Sequence, residues 1–317
     1  MSDHPQHEHS AAAALLDDAS PHIRRVTWAG LWANLALAAA KFAGGVYGSS
    51  QAVIADAVHS VSDISTDAAI LIGVHYWNKP ADESHPHGHR RIETLVTLGI
   101  GVVLIAVATG MIWNAVKGLH ADGNPPPRRI ALAVALLSIV TKEVLYRWTT
   151  AVGRRYKAGA LLANAWHHRS DALSSIPAAV AVAGAAISPA WAFLDPVGAI
   201  VVSLLIYQAG YRIVRPAFSK LIDTSVSDEE LQQMQRITEG TPGVIRAHRI
   251  RTRYSGCSNL DVDLHVEVDP DMTVYRGHEI SEAVKRRLLE EGPGIVDVVV
   301  HLEPYQPEHD FRAGMER

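Results

Sequence analysis

Sulfur chemistry is nearly absent: the 317-residue chain holds one cysteine, Cys257. A single thiol excludes an intramolecular disulfide and any thiolate zinc cluster. Positive charge is not in excess either. The net charge of −4 leaves no electrostatic footprint for nucleic acid. No GxxxxGK(S/T) phosphate loop occurs, so nothing points to ATP-driven work. The HExxH pattern of a helix-borne metalloprotease is missing. The one His-Glu followed by a helix, His278-Glu279 in HEISE, lacks the second histidine. No activated serine or cysteine constellation is evident, and Cys257 falls in an expected hairpin. The chain reads as a non-enzyme.

What is present is unevenly spread. Hydrophobic residues make up 48%, yet the mean hydropathy is only +0.06. That average conceals two unlike halves. Charges are sparse between Val26 and Gln208 and dense from Lys220 onward. The first residues, MSDHPQHEHSAAAALLDDAS, are polar and carry acids where a signal peptide would carry bases. Residues 1–22 are therefore expected to be a disordered cytosolic tail, with 306–317 a C-terminal one. His4, His7 and His9 fit either a loose metal collector or a solvated tail with chance histidines.

A membrane-spanning helix needs about 20 mainly apolar residues. Six stretches qualify: Val26–Gly48, Ala52–Trp77, Thr94–Val116, Ile130–Trp148, Ala158–Ile187 and Pro196–Tyr211. The first is interrupted by Lys41, and the fourth carries adjacent Lys142 and Glu143 near its end. With the N-terminus inside, the inner segments hold Arg24, Arg25, Lys79, Arg90, Arg91, Arg147, Arg154, Arg155, Lys157, Arg212, Arg215 and Lys220. The outer loops hold only Lys117, Arg128 and Arg129. Lysine and arginine favour the cytoplasmic side, so both termini are expected there. The expected fold is a membrane all-α six-helix bundle over 23–215, followed by a cytosolic domain over 216–305.

Charged groups inside a bilayer cost several kcal/mol each and usually face the bundle interior. The second span reads ADAVHSVSDISTD, placing Asp56, His59, Asp63 and Asp67 on one helical face. The fifth reads ANAWHHRSDALSS, with His167 and Asp171 one turn apart. Two helices thus each present HxxxD. Together they offer two imidazoles and two carboxylates, a four-coordinate set suited to Zn2+, with Co2+, Fe2+ or Ni2+ possible. Calcium and magnesium want more oxygens and no imidazole. A lone His or Asp would be a helix-packing residue; the duplicated motif favours ligation. His168 sits about 100° around the helix from His167 and is expected to pack or support. Arg169 and Asp67 are candidates for a neutralising pair.

These residues resemble the cation diffusion facilitator family, most closely its bacterial zinc- and iron-type metal/proton antiporters. The resemblance rests on GSSQAVIADAVHSVSD, HPHGHRRIE and HHRSD and covers Arg24 to Pro304. It implies a homodimer of six-span protomers in a lipid bilayer, a bacterial inner (plasma) membrane, exchanging metal for protons by alternating access. His59, Asp63, His167 and Asp171 match its transport site. Bacterial zinc/proton antiporters of the family carry Asp at the first of these positions; His59 looks like the zinc-selective branch, while HHRSD also resembles iron exporters. In the loop ADESHPHGH, the resemblance assigns Asp82, His85 and His89 to a second metal site. A polar loop with interfacial histidines is the rival reading.

After the sixth span the hydrophobic period changes. Ser227 with Glu230 reads as a capping box opening a short helix. Val244–Tyr254, Leu260–Val268 and Ile295–Glu303 read as strands, and Val274–Glu290 as a helix. The order α-β-β-α-β predicts a small α+β domain. His248, His265, His278, His301 and Glu303 are scattered in sequence and by themselves read as surface residues. The resemblance matches all five to a binuclear Zn2+ site that clamps and regulates a dimer, with Glu303 standing where Asp is usual. It likewise matches Arg91 and Asp223 to a salt bridge that helps hold the dimer. Zinc binds only neutral histidine, so protons and metal compete at His59 and His167. Asp56, one turn toward the outer face, is placed to ease metal release or proton entry. A passive metal channel is the alternative that sequence leaves open.

Overall fold

The computed structural model describes residues 5–77, 79–120, 126–156, 158–256 and 258–306. By internal contacts the chain forms two compact units. One is Met1–Ile70 with Ile100–Arg212, the other Leu71–Gly99 with Ile213–Arg317. The expected boundary at residue 216 does not anticipate that 71–99 groups with the C-terminal part. Two contacts explain it. Arg91 pairs with Asp223, and Gly256 approaches Arg90 and Glu93 so closely that a Cβ there would lie 3.1–3.3 Å from them.

The first unit is helical. Its elements are α1 (Pro5–Tyr47), α2 (Gln51–Trp77), α3 (Arg91–His120), α4 (Arg129–Arg155), α5 (Gly159–Ser174), α6 (Ile176–Ile187) and α7 (Leu194–Leu221), with α2, α3 and α7 continuing into the second unit. The expectation of a disordered stretch over 1–22 is corrected from residue 5 onward: α1 starts at Pro5. AAAALL, at 11–16, has the strong helix propensity that carries it. Residues 1–4 lie outside the described residues, as do 307–317 of the expected C-terminal tail. The fifth span is not one helix but two, broken at Ser175. Pro177 sits in the first turn of α6 and has no N–H to donate, and Ser175 N caps α5 by bonding the carbonyls of Asp171 and Leu173.

Among the described residues, three stretches are long and apolar enough to cross a membrane by length and composition: Arg91–His120, Leu161–Ile187 and Leu194–Leu221. Helices α1, α2 and α4 carry Lys41, Asp56, Asp63, Asp67 and Lys142. The six expected spans all fall on helices, and three of them qualify among the described residues. Helix α4 packs on α1, α5 and α6. Polar contacts tie α2 into the same bundle. Asp195 at the head of α7 accepts hydrogen bonds from Ser50 Oγ and, at 2.7 Å, from Gln51 N, holding the first turn of α2.

The second unit contains α8 (Asp228–Glu239), β1 (Arg246–Tyr254), β2 (Leu260–Val268), α9 (Val274–Glu291) and β3 (Ile295–Pro304). The expected α-β-β-α-β order holds here. Ser227 and Glu230 form the capping box reciprocally. The sheet order is β1-β2-β3, antiparallel between β1 and β2 and parallel between β2 and β3. Period-two alternation on β2 buries Leu260, Val262, Leu264, Val266 and Val268 against Ile280, Val284 and Leu288, the i, i+4, i+8 stripe of α9. Truncating such a residue to Ala costs about 2–5 kcal/mol. This core fixes the opposite face of the sheet, where the histidines stand.

Candidate metal centres

Three groups of metal-ligating side chains occur among the described residues: Asp63, His167 and Asp171; Asp82, His85 and His89; and His248, His265 and Glu303. In each, one donor atom per residue lies within 4.8 Å of the others.

The first group joins α2 to α5. His167 Nε2 lies 3.7 Å from Asp171 Oδ2, as their i, i+4 spacing on α5 requires. Asp63 approaches from α2. His59 is half-buried one turn before Asp63 and is not gathered with these three. His168 is buried as expected of a packing residue; neither ring nitrogen has a hydrogen-bond partner among the described residues. It presses against α1, where a Cβ added at Gly30 would lie 3.2 Å from Nε2. The proposed Arg169–Asp67 pair lies partly outside the described residues, since the Asp67 side chain is not among them. Arg169 itself donates to Tyr146 Oη at 2.9 Å and stacks on the Tyr146 and Trp166 rings.

Sequence reasoning missed two lysines as part of this polar interior. Lys142 Nζ on α4 lies 2.6 Å from Asp171 Oδ2. Lys41 Nζ on α1 lies 2.9 Å from Asp56 Oδ2 and donates to Ser60 Oγ and Ser175 Oγ at 3.1 and 3.0 Å. Ser175 Oγ sits 2.8 Å from Asp56 Oδ1 and 3.1 Å from the backbone carbonyl of Asp171, one turn back in the chain. Asp56 is therefore an ion-pair partner. The signal was available: a lysine alone in an otherwise apolar span needs a buried acid.

The second group forms in the loop after α2. Asp82 Oδ1 lies 3.3 Å from His85 Nδ1, and Asp82 Oδ2 3.3 Å from His89 Nε2, with the two rings 4.5 Å apart. All three residues singled out in the loop are gathered. Reciprocal backbone bonds between Asp82 and His85 close the turn, and Gly88 takes φ +77° where a side chain would be strained. A hydrogen bond from the Ser84 hydroxyl, then one from the His85 N–H, lowers the Asp82 carboxyl to about 2. The carboxylate stays ionised and able to bind a cation. Beside it opens a cavity of about 590 Å³ lined by His85, His89, Arg91 and Asp223 among others. The Arg91–Asp223 pair spans its wall at 3.2 Å.

The third group follows from strand register. His248 pairs with His265 across β1 and β2, and His265 with His301 across β2 and β3, so one row of the sheet carries three imidazoles. Glu303, two residues on and hence on the same face, reaches back to all three: 3.1 Å to His248 Nε2, 2.7 Å to His265 Nδ1 and 3.5 Å to His301 Nε2. Burial alone would raise the Glu303 carboxyl. The His265 hydrogen bond and the charges of His265, His248 and His301 outweigh it and hold the group below its ordinary value. His278 is exposed on α9 and is not gathered with His248, His265 and Glu303. Glu267, not singled out in sequence, lies 3.5 Å from His248 Nε2 and is fixed by two hydrogen bonds from Arg246.

Comparison with known proteins identifies the family. Residues 27–222 match the cation efflux transmembrane domain and 226–305 the cation efflux protein cytoplasmic domain. Manganese efflux system protein MneP of Bacillus subtilis is 31% identical over 290 residues, covering 90% of this chain and 97% of its own. Metal tolerance protein C1 of Arabidopsis thaliana is 36% identical over 290 residues, covering 87% of this chain but 61% of its own length. Magnetosome protein MamB of Paramagnetospirillum magneticum is 29% identical over 279 residues, covering 88% of this chain and 93% of its own. The chain belongs to the cation diffusion facilitator family, whose members are metal efflux transporters of membranes.

Proposed function

We propose that the protein exports a divalent transition metal from the cytosol in exchange for protons, zinc being the first choice. The observation that carries this reading is the convergence of Asp63 from α2 with His167 and Asp171 from α5. His59, one turn along α2, is the fourth ligand; a small rotation or rotamer change would complete a tetrahedral His2Asp2 set for Zn2+. Facing the cytosol, the set takes metal and loses protons from its histidines. Facing outward, it takes protons and loses metal, so an inward proton gradient drives export. Six helices form the spanning bundle, both termini lie in the cytoplasm, and two copies associate through their C-terminal domains. The His248–His265–Glu303 row and the Asp82–His85–His89 loop bind cytosolic metal that stabilises or regulates that dimer.

A second reading has its own observation. With His59 apart, one imidazole and two carboxylates make an oxygen-rich set that suits Mn2+ or Fe2+ better than zinc. The name of the Bacillus relative, a manganese efflux protein, is consistent with it.

The test is metal uptake into proteoliposomes for Zn2+, Mn2+, Fe2+, Co2+ and Cd2+, with and without a pH gradient. Zinc flux that follows the gradient supports the proposal. Flux preferring Mn2+ or Fe2+ establishes the second reading. Flux indifferent to the gradient makes the protein a channel.

A further inference from the structure

The group on α2 and α5 is accompanied by a cation of the protein's own. Lys142 comes from α4, the helix packed against both α5 and α6, and its ammonium lies 2.6 Å from Asp171 Oδ2. Both residues are buried, at 3% and 8% exposure, so the pair is not a solvent-screened surface contact. The oxygen it holds is the one that faces His167 Nε2 at 3.7 Å, on the side where the donors converge. A metal ion bound by Asp171 and His167 needs that oxygen at about 2.0–2.2 Å. An ammonium at hydrogen-bond distance and a dication at bonding distance from one oxygen would repel strongly in a buried site. One has to leave when the other arrives.

Lysine suits such a part. Its charge is a compact point on a flexible four-carbon stem, so it can withdraw without moving the backbone. A place to withdraw to exists on the same helix. Ser138, one turn before Lys142 on the buried stripe of α4, is fully buried, and its hydroxyl has no partner among the described residues. A hydroxyl with a free lone pair one turn away can accept the displaced ammonium.

We propose that Lys142 is a tethered competitor for the transport site: its ammonium holds Asp171 Oδ2, metal loads by displacing it toward Ser138, and its return helps expel the metal. This rests on the reading of Asp63, His167 and Asp171 as the transport site. It gives the site a means of binding metal weakly enough to release it, and it makes Lys142 a positioning residue for Asp171.

The experiment is Co2+ titration of the full-length protein in detergent at fixed pH, followed by the visible absorption of bound cobalt. Wild type, D171N, K142M, K142R and S138A are compared, and the D171N signal is subtracted to remove cobalt bound elsewhere. Losing a competitor held by one charge-assisted hydrogen bond should tighten binding in K142M by about tenfold or more. K142R, which keeps charge and donor, should stay near wild type. S138A, which removes the refuge, should bind more weakly. K142M binding no tighter than wild type overturns the proposal; should K142M fail to fold, S138A binding as tightly as wild type overturns it. If wild type and D171N give the same signal, the failure belongs to the transport-site reading instead.

Discussion

Lys41 Nζ on α1 lies 2.9 Å from Asp56 Oδ2 on α2, and both side chains are 1% exposed. The pair joins two helices inside the bundle; Lys41 also donates to Ser60 and Ser175, and Ser175 donates to Asp56 Oδ1. Breaking one half leaves an uncompensated buried charge, which costs about 3–5 kcal/mol, while removing both halves is far milder. K41M and D56N should each sharply lower the melting temperature of the purified protein. The double variant should recover most of the loss. Thermal unfolding in detergent checks this, and additive losses would show that the pair is not an energetic unit.

The histidine row on the C-terminal sheet makes a sharper claim than its membership in a metal-binding family. Glu303 reaches His248, His265 and His301, whereas His278 is exposed on α9 and is not paired with Glu303 among the described residues. Zinc bound per full-length chain, measured by elemental analysis after dialysis, should fall in E303A and in H265A. It should be unchanged in H278A. Loss of zinc in H278A alone would mean that the row is not the site.

A third prediction concerns acid sensitivity. Lys285 on α9 donates to Asp297 on β3 at 3.0 Å, and this hydrogen bond is foremost in lowering the Asp297 carboxyl below 3.8. The folded-state value lies below the unfolded one, so the pair stabilises the domain above the unfolded value and loses that contribution as pH falls through the folded one. Both side chains are partly exposed, which holds the effect under about 1 kcal/mol. K285M should melt slightly earlier than wild type near neutral pH, and the gap should close on acidification below 3.8. A gap independent of pH would mean that Lys285 acts by packing alone.

Much of this was legible in sequence, for identifiable reasons. Strand β2 shows its period in alternation, and the Ser227–Glu230 box marks the start of α8 from two residues. HxxxD on two helices put Asp63 near His167 and Asp171 because helical spacing and the need to pair buried charge both constrain it. What escaped was pairwise and long-range. Nothing local says that Lys142 meets Asp171 or that Lys41 meets Asp56, since helix packing sets those partners. The break at Ser175 was readable from Pro177 but hidden by a continuous apolar run. The register that aligns His248, His265 and His301 depends on an irregularity between His248 and Arg251, where Arg249 takes φ +48°, and no sequence period announces it.

The most direct test of the transport site is zinc uptake into proteoliposomes under an imposed pH gradient, comparing wild type with Asp171→Ala and His59→Asp. Asp171 supplies an oxygen to the group on α2 and α5, and its loss removes one of the three gathered ligands. The account predicts that uptake is abolished in Asp171→Ala and that His59→Asp admits more cadmium relative to zinc. Uptake in Asp171→Ala at the wild-type rate would contradict it and place the metal's path elsewhere in the bundle.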